Sequence, residues 1–294
     1  MRLGMCSAFL PENINDFTPE ICRRVRDLGF SGVFVRTRQN DPHTTTRAEA
    51  QRFRDLLADE NLRLFQGTGY WQNLITGDEN QRRESVRTLQ AALRLAGWLG
   101  ARGIDTGPGS MSPHGPWAPH PDNWTPLARR QLIRSLREAA PAAEDAGVYL
   151  SVECHQTVTL ESPEVALDVI NAADSPWVRI DYDSANWLNL RSAWDSSSAL
   201  NHHFDLLGEH IVSCHAKDVF VEPRLVIHIS DGCAGRGLVD FRTLCRRMHE
   251  LSPDYPVIIE GAETEDLPEV SAFFHGIAAE LELPLLDADE EAPA

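Results

Sequence analysis

The sequence predicts a single closed (β/α)8 barrel. Three observations lead there. Short apolar runs with β character alternate with amphipathic helical stretches from end to end. Eight such runs fit within the 294 residues, with no linker that divides them. The turn after the first run, Cys6-Ser7-Ala8-Phe9-Leu10-Pro11, lacks the glycine-rich phosphate loop expected of an open, doubly wound sheet.

The predicted strands, in order, are Leu3–Cys6, Gly32–Val35, Leu62–Phe65, Gly103–Thr106, Val148–Val152, Val178–Tyr182, Ile211–His215 and Val257–Ile259. Between them, helical stripes recur with a period near 3.6. Ile21, Val25 and Leu28 form the first, and Val86, Leu89, Leu93, Ala96 and Leu99 a longer one. Leu132, Leu136, Ala139 and Ala143 form a third, Phe241, Leu244, Met248 and Leu251 a fourth, and Val270, Phe273, Phe274 and Ile277 a fifth. Thr18-Pro19 and Thr125-Pro126 have the signature of an N-cap followed by proline in the first turn. Gly29, Gly100 and Gly147 suit left-handed helix ends just before strands. Pro141 inside the third stripe is expected to kink its helix. Two long connections, Gly107–Asn123 and Val219–Gly237, are expected over one barrel mouth. The barrel is assigned to residues 1–279, and residues 280–294 to an acidic, loosely packed tail.

Composition narrows the function. Hydrophobic residues make up 42% and charged residues 24%, near the globular norm. The formal net charge is −17, and the tail supplies only part of it. An acidic body argues against a nucleic-acid partner, which calls for clustered Lys and Arg. No run approaches the roughly 18 apolar residues of a membrane span. The segment Met1–Met5 has too short an apolar run for a signal peptide, and none of the six Cys forms a C-x-x-C pair. Reduced thiols and a cytoplasmic location are therefore expected.

In such a barrel, chemistry gathers where strands end at their C-terminal side. Strand five ends at Glu153, strand six meets Asp183, strand seven meets His215 and strand eight meets Glu260. Three carboxylates and an imidazole on one rim would repel one another and resist desolvation. One divalent cation resolves that conflict. The mixed oxygen and nitrogen set suits Mn first, with Mg, Co or Zn as alternatives.

The segments Val152-Glu153-Cys154-His155, Asp183-Ser184-Ala185-Asn186, Cys214-His215-Ala216-Lys217-Asp218, Gly235-Arg236-Gly237-Leu238-Val239-Asp240-Phe241 and Ile258-Ile259-Glu260-Gly261 resemble the xylose isomerase-like TIM-barrel superfamily. The nearest likeness is its sugar phosphate isomerase/epimerase branch, over nearly the whole chain. The resemblance implies one divalent metal held by Glu153, Asp183, His215 and Glu260. It also implies proton transfer by Glu153 and Glu260 through a metal-stabilised enediolate of a ketose, sugar phosphate or hydroxy-keto acid. Family members often carry His three residues after the Asp; here Asn186 stands there.

Further candidates for substrate contact are His155, Asn186, Lys217, Arg236, Trp71, Trp117 and Gln66. His155 lies two residues past Glu153, so alternation aims both to one side. Lys217 follows His215 by two, with a salt bridge to the adjacent Asp218 as the competing use. Arg236 sits between glycines, a turn that can present a guanidinium to an anion. Trp71 and Trp117 offer faces for a sugar. Gln66 closes strand three as a hydroxyl partner, and Arg36 closes strand two as a counter-charge for a substrate anion.

The expected partner is a small sugar or polyol, with neither nucleic acid nor membrane, and homo-oligomers occur by analogy with the family. Three other readings compete. An inosose-type dehydratase would use the same metal site. An abasic-site endonuclease would need extra His ligands, which the rims of strands three and four lack. A non-catalytic sugar-binding barrel predicts replacement of the four metal residues, which are present.

Overall fold

The computed structural model describes residues 1–70 and 72–292. Eight parallel strands close into a barrel. They are β1 (Arg2–Met5), β2 (Gly32–Val35), β3 (Arg63–Thr68), β4 (Gly103–Thr106), β5 (Tyr149–Glu153), β6 (Val178–Asp183), β7 (Ile211–Ala216) and β10 (Pro256–Ile259). The remaining strands, β8 (Asp218–Val221) and β9 (Ile229–Gly232), form an antiparallel hairpin inside the second long connection. Pairing of Leu3 with Val257 and Gly4 with Ile258 joins the last barrel strand to the first. Every expected strand is present, shifted at its ends by at most a few residues.

The strands read as unbroken apolar runs because both faces are covered, one by helices and one by the barrel interior. The interior layer is a separate buried group of Cys6, Phe34, Phe65 and Ile258. Phe65 demands space from its neighbours: a Cβ on Gly32 or on Gly4 would lie 2.6 Å from its ring. Glycine at those two positions therefore lets an aromatic plug fill the barrel beneath the site.

The helices are α1 (Pro19–Asp27), α2 (Arg47–Asp59), α3 (Glu79–Leu99), α4 (Pro126–Ala146), α5 (Pro163–Ala173), α6 (Leu190–Ala193), α7 (Ser196–Leu207), α8 (Phe241–Leu251) and α9 (Leu267–Glu280). The Thr18 and Thr125 side chains cap α1 and α4 as expected. Gly100 and Gly147 adopt φ of 78° and 65° just past α3 and α4. Helix α4 stays continuous from Pro126 to Ala146 with Pro141 inside it. No helix among the described residues is long and apolar enough to cross a membrane, and all six cysteines are free and buried.

The acidic tail differs from expectation. It is tied across the N-terminal end of the barrel rather than left loose. The Met1 amine donates to the Pro284 carbonyl at 2.6 Å, and the Leu286 N–H donates to the Met1 carbonyl at 3.0 Å. Arg2 donates to the Asp287 and Glu290 carbonyls, and Arg63 to that of Ala288. The tail is held through its backbone carbonyls, a use that a charge count does not reveal.

Candidate metal centre and its cavity

The four rim residues converge. Glu153, Asp183, His215 and Glu260 each offer one ligand atom, and these atoms all lie within 4.8 Å of one another. Two ligands on opposite sides of one ion, each about 2.4 Å from it, are separated by about that distance. The parallel register explains the meeting. Asp183 pairs with His215 across β6 and β7, and Ile258 pairs with His215 across β10 and β7. Glu153 ends β5, and Glu260 follows β10 directly.

Each ligand is held by its surroundings. Asp183 Oδ1 accepts from the Ala185 and Asn186 N–H groups at 2.7 and 3.3 Å, a local Asx turn that leaves Oδ2 for the centre. Asn186 Nδ2 donates to Glu153 Oε1 at 2.8 Å. Beneath the rim, Gln66 Nε2 donates to Asp181 Oδ2 at 2.6 Å and to Ser213 Oγ at 2.9 Å. That orientation turns Gln66 Oε1, an acceptor, toward His215 Nε2 at 2.9 Å. His215 Nε2 must therefore carry a proton, and Nδ1 faces the carboxylates. The ring also stacks on Phe34, with centroids 5.5 Å apart.

The donor set fits a divalent cation. His215 Nδ1 and Asp183 Oδ2 are buried and close no aligned hydrogen bond, although Nδ1 is 3.3 Å from Glu260 Oε2 and Oδ2 is 3.0 Å from Lys217 Nζ. A buried nitrogen and a buried carboxylate oxygen left this way, facing further carboxylates, are what an oxygen-and-nitrogen cation site presents.

The two glutamates sit in opposed fields. Burial, reinforced by Asp105, pushes Glu153 well above the usual carboxylate range. Burial acts the same way on Glu260, but His215, Lys217 and Arg36 outweigh it and hold that carboxyl well below its ordinary value. Lys217 Nζ lies 3.0 Å from Asp183 Oδ2 and 3.1 Å from Glu260 Oε2. Arg36 pairs with Glu260 Oε1. Burial would lower the Lys217 pKa, yet Asp183 and Glu260 raise it well above normal.

A cavity of about 1230 Å³ opens over this centre, and its walls include Arg36, Trp117, His155, Asn186 and Lys217. His155 Nδ1 accepts from the Thr157 N–H at 3.1 Å, which leaves a ring proton on Nε2. Its burial lowers its pKa, so the neutral form prevails.

Other expectations are corrected. Lys217 does not pair with Asp218. Asp218 is buried and instead accepts from the N–H groups of Val219, Gly235, Gly237 and Val239, holding the loop after β9 in place. Arg236 does not line the cavity; it pairs with Asp266 at 2.8 Å and Glu269 at 2.6 Å on the exterior. Gln66, 1% exposed, lies under the centre and orients His215 rather than meeting a substrate hydroxyl. Trp71 lies outside the described residues.

Two supporting residues escaped sequence reasoning. Asp181 and Ser213 stand two positions before Asp183 and His215, and strand alternation alone would have aimed them into the barrel.

The family description "Xylose isomerase-like TIM barrel" matches residues 22–277. The chain belongs to the xylose isomerase-like TIM-barrel family. Among solved structures, a xylose isomerase domain protein from Planctomyces limnophilus aligns with TM-score 0.71 and 19% identity, covering 96% of this chain and 98% of that one. A xylose isomerase-like TIM-barrel protein from Mycobacterium smegmatis, in complex with magnesium, aligns at 0.68 and 20%, covering 92% of each chain. The 3-keto-D-glucoside 4-epimerase of E. coli aligns at 0.68 and 18%, covering 94% of this chain and 99% of that one. At these identities the likeness speaks to the fold. No curated protein matches the chain by sequence.

Proposed function

We propose that this member of the xylose isomerase-like family is a divalent-metal-dependent epimerase or isomerase of a ketose or related keto sugar. The observation that carries the reading is the convergence of the four ligand atoms of Glu153, Asp183, His215 and Glu260 within 4.8 Å. Likeness to a sugar epimerase of known structure supports the substrate class. Manganese suits the donor set best, ahead of magnesium, cobalt and zinc. When bound, the cation supplies Lewis acidity beside a carbonyl and an adjacent hydroxyl.

The chain's own residues move the protons. β5 and β10 are separated in the barrel by β6 and β7, so Glu153 and Glu260 reach the centre from different directions. One carboxylate removes the proton on the carbon beside the carbonyl, and the other returns a proton to the opposite face or the neighbouring carbon. Lys217 and Arg36 hold Glu260 in place and offset negative charge as it develops on substrate oxygen. His155, Asn186 and Trp117 supply hydrogen bonds and a ring face for orientation.

The test is solvent deuterium incorporation into a panel of ketoses with Mn. Exchange at a substrate carbon in the native chain, lost in Glu153→Gln, is the expected result. Loss of water from the substrate instead of exchange would replace epimerisation with dehydration. Failure of the native chain to bind any of Mn, Mg, Co and Zn would remove the reading.

A further inference from the structure

The cavity over the metal centre is larger than a free sugar needs, and its two halves differ in character. Its volume, about 1230 Å³, exceeds the roughly 300–1,000 Å³ of sites that hold drug-sized ligands. The deep half carries the polar set around Glu153 and Glu260. The outer wall is built by two neighbouring elements, the turn through α6 and the β8–β9 hairpin; apolar Leu190, Trp194, Ile227 and Ile229 stand there among polar Asn189, Arg191, Ser230 and Asp231.

The hairpin register explains its side of that wall. Val219 stands opposite Asp231 and Val221 opposite Ile229, so these four share one face. Val219, Ile229 and Asp231 of that face line the cavity, joined by Ser230 and by Ile227 from the hairpin tip. Leu190 and Trp194 face the same space from α6 and the residue after it. Ile227 is 64% exposed and Trp194 67% exposed, although both are large and apolar. Apolar groups gathered at the mouth of a cavity gain when a ligand removes them from water. Sugar hydroxyls gain little from Leu, Ile or Val, whereas an apolar ring does.

We infer that the substrate is a sugar or polyol bearing an apolar substituent of about aromatic-ring size, seated between the β8–β9 hairpin and α6. This rests on the proposed sugar chemistry and narrows its substrate class.

The test compares two unreactive probes, methyl and phenyl β-D-glucopyranoside, by calorimetric titration of the Mn-loaded chain. The phenyl compound is expected to bind at least tenfold more tightly, which corresponds to about 1.4 kcal/mol. Trp194→Ala and Ile227→Ser, both at exposed positions, are expected to bring that ratio toward one. Equal binding of the two probes by the native chain overturns the inference and leaves the sugar reading standing. A phenyl advantage that survives both substitutions overturns the assignment to this wall. Binding of neither probe by a chain that does bind Mn counts against the sugar reading as well. A dimer that either substitution dissociates, with no phenyl advantage, assigns the patch to a second copy instead.

Discussion

The two ends of the barrel both gather charge, yet in different ways. At the N-terminal end, arginines converge on one carboxylate. Arg2 Nε donates to Asp254 Oδ1 at 2.7 Å, Arg102 pairs with Asp254 Oδ2, and the other nitrogens of Arg2 meet tail carbonyls. Arg2 is 1% exposed, so its charge is tolerable only because each side of its guanidinium has a fixed partner. At the C-terminal end, three carboxylates and one imidazole converge, and Lys217 and Arg36 are the cations that meet them. The first cluster is the more closed, beside a cavity of about 400 Å³, and holds two chain ends together. The second is open toward a cavity. Charge density does not separate the two ends; the cavity over each does, about 1230 Å³ against about 400 Å³.

The largest expected effect tests the open end. Glu153→Gln preserves shape and removes the proposed proton-transfer group, so turnover should fall about 10³-fold while urea unfolding stays unchanged. A variant with native turnover would remove Glu153 from the mechanism. Next comes the support beneath it. Gln66→Leu deprives His215 Nε2 of its nearer acceptor, and Mn affinity should fall roughly 10–100-fold in a direct titration. Unchanged affinity would show that Asp181, 3.3 Å from Nε2, and Phe34 stacking suffice to fix the ring.

The closed end should respond in stability instead. Arg2→Ala is expected to cost about 2 kcal/mol in urea unfolding with Mn affinity intact. A variant that also loses Mn would erase the distinction between the two ends. The smallest effect is a slope with pH. Burial opposes ionisation of Asp254, but Arg2 and Arg102 hold its carboxyl below its ordinary value of 3.8. A depressed folded-state pKa contributes stability that is present above 3.8 and lost as pH falls through the lower folded value. Asp254→Asn should flatten that acid limb; an unchanged limb would assign it to other carboxylates.

The sequence alone determined the barrel and the order of its four candidate ligands. Both rest on short-range periodicity: two residues along a strand, 3.6 along a helix, and a polar residue where each apolar run stops. It was weaker for α2, α5 and α7. No stripe was assigned to them, although Phe53 and Leu57 in α2, Val165, Val169 and Ile170 in α5 and Leu200, Phe204 and Leu207 in α7 are buried at helical spacing. What only the tertiary structure decided was partnership. Lys217 passed over adjacent Asp218 for Asp183 and Glu260, Arg236 turned to the exterior, Gln66 went beneath His215, and the tail carbonyls met Arg2 and Arg63. These pairings join groups that barrel closure and loop paths bring together from distant parts of the chain, and no local period encodes that meeting.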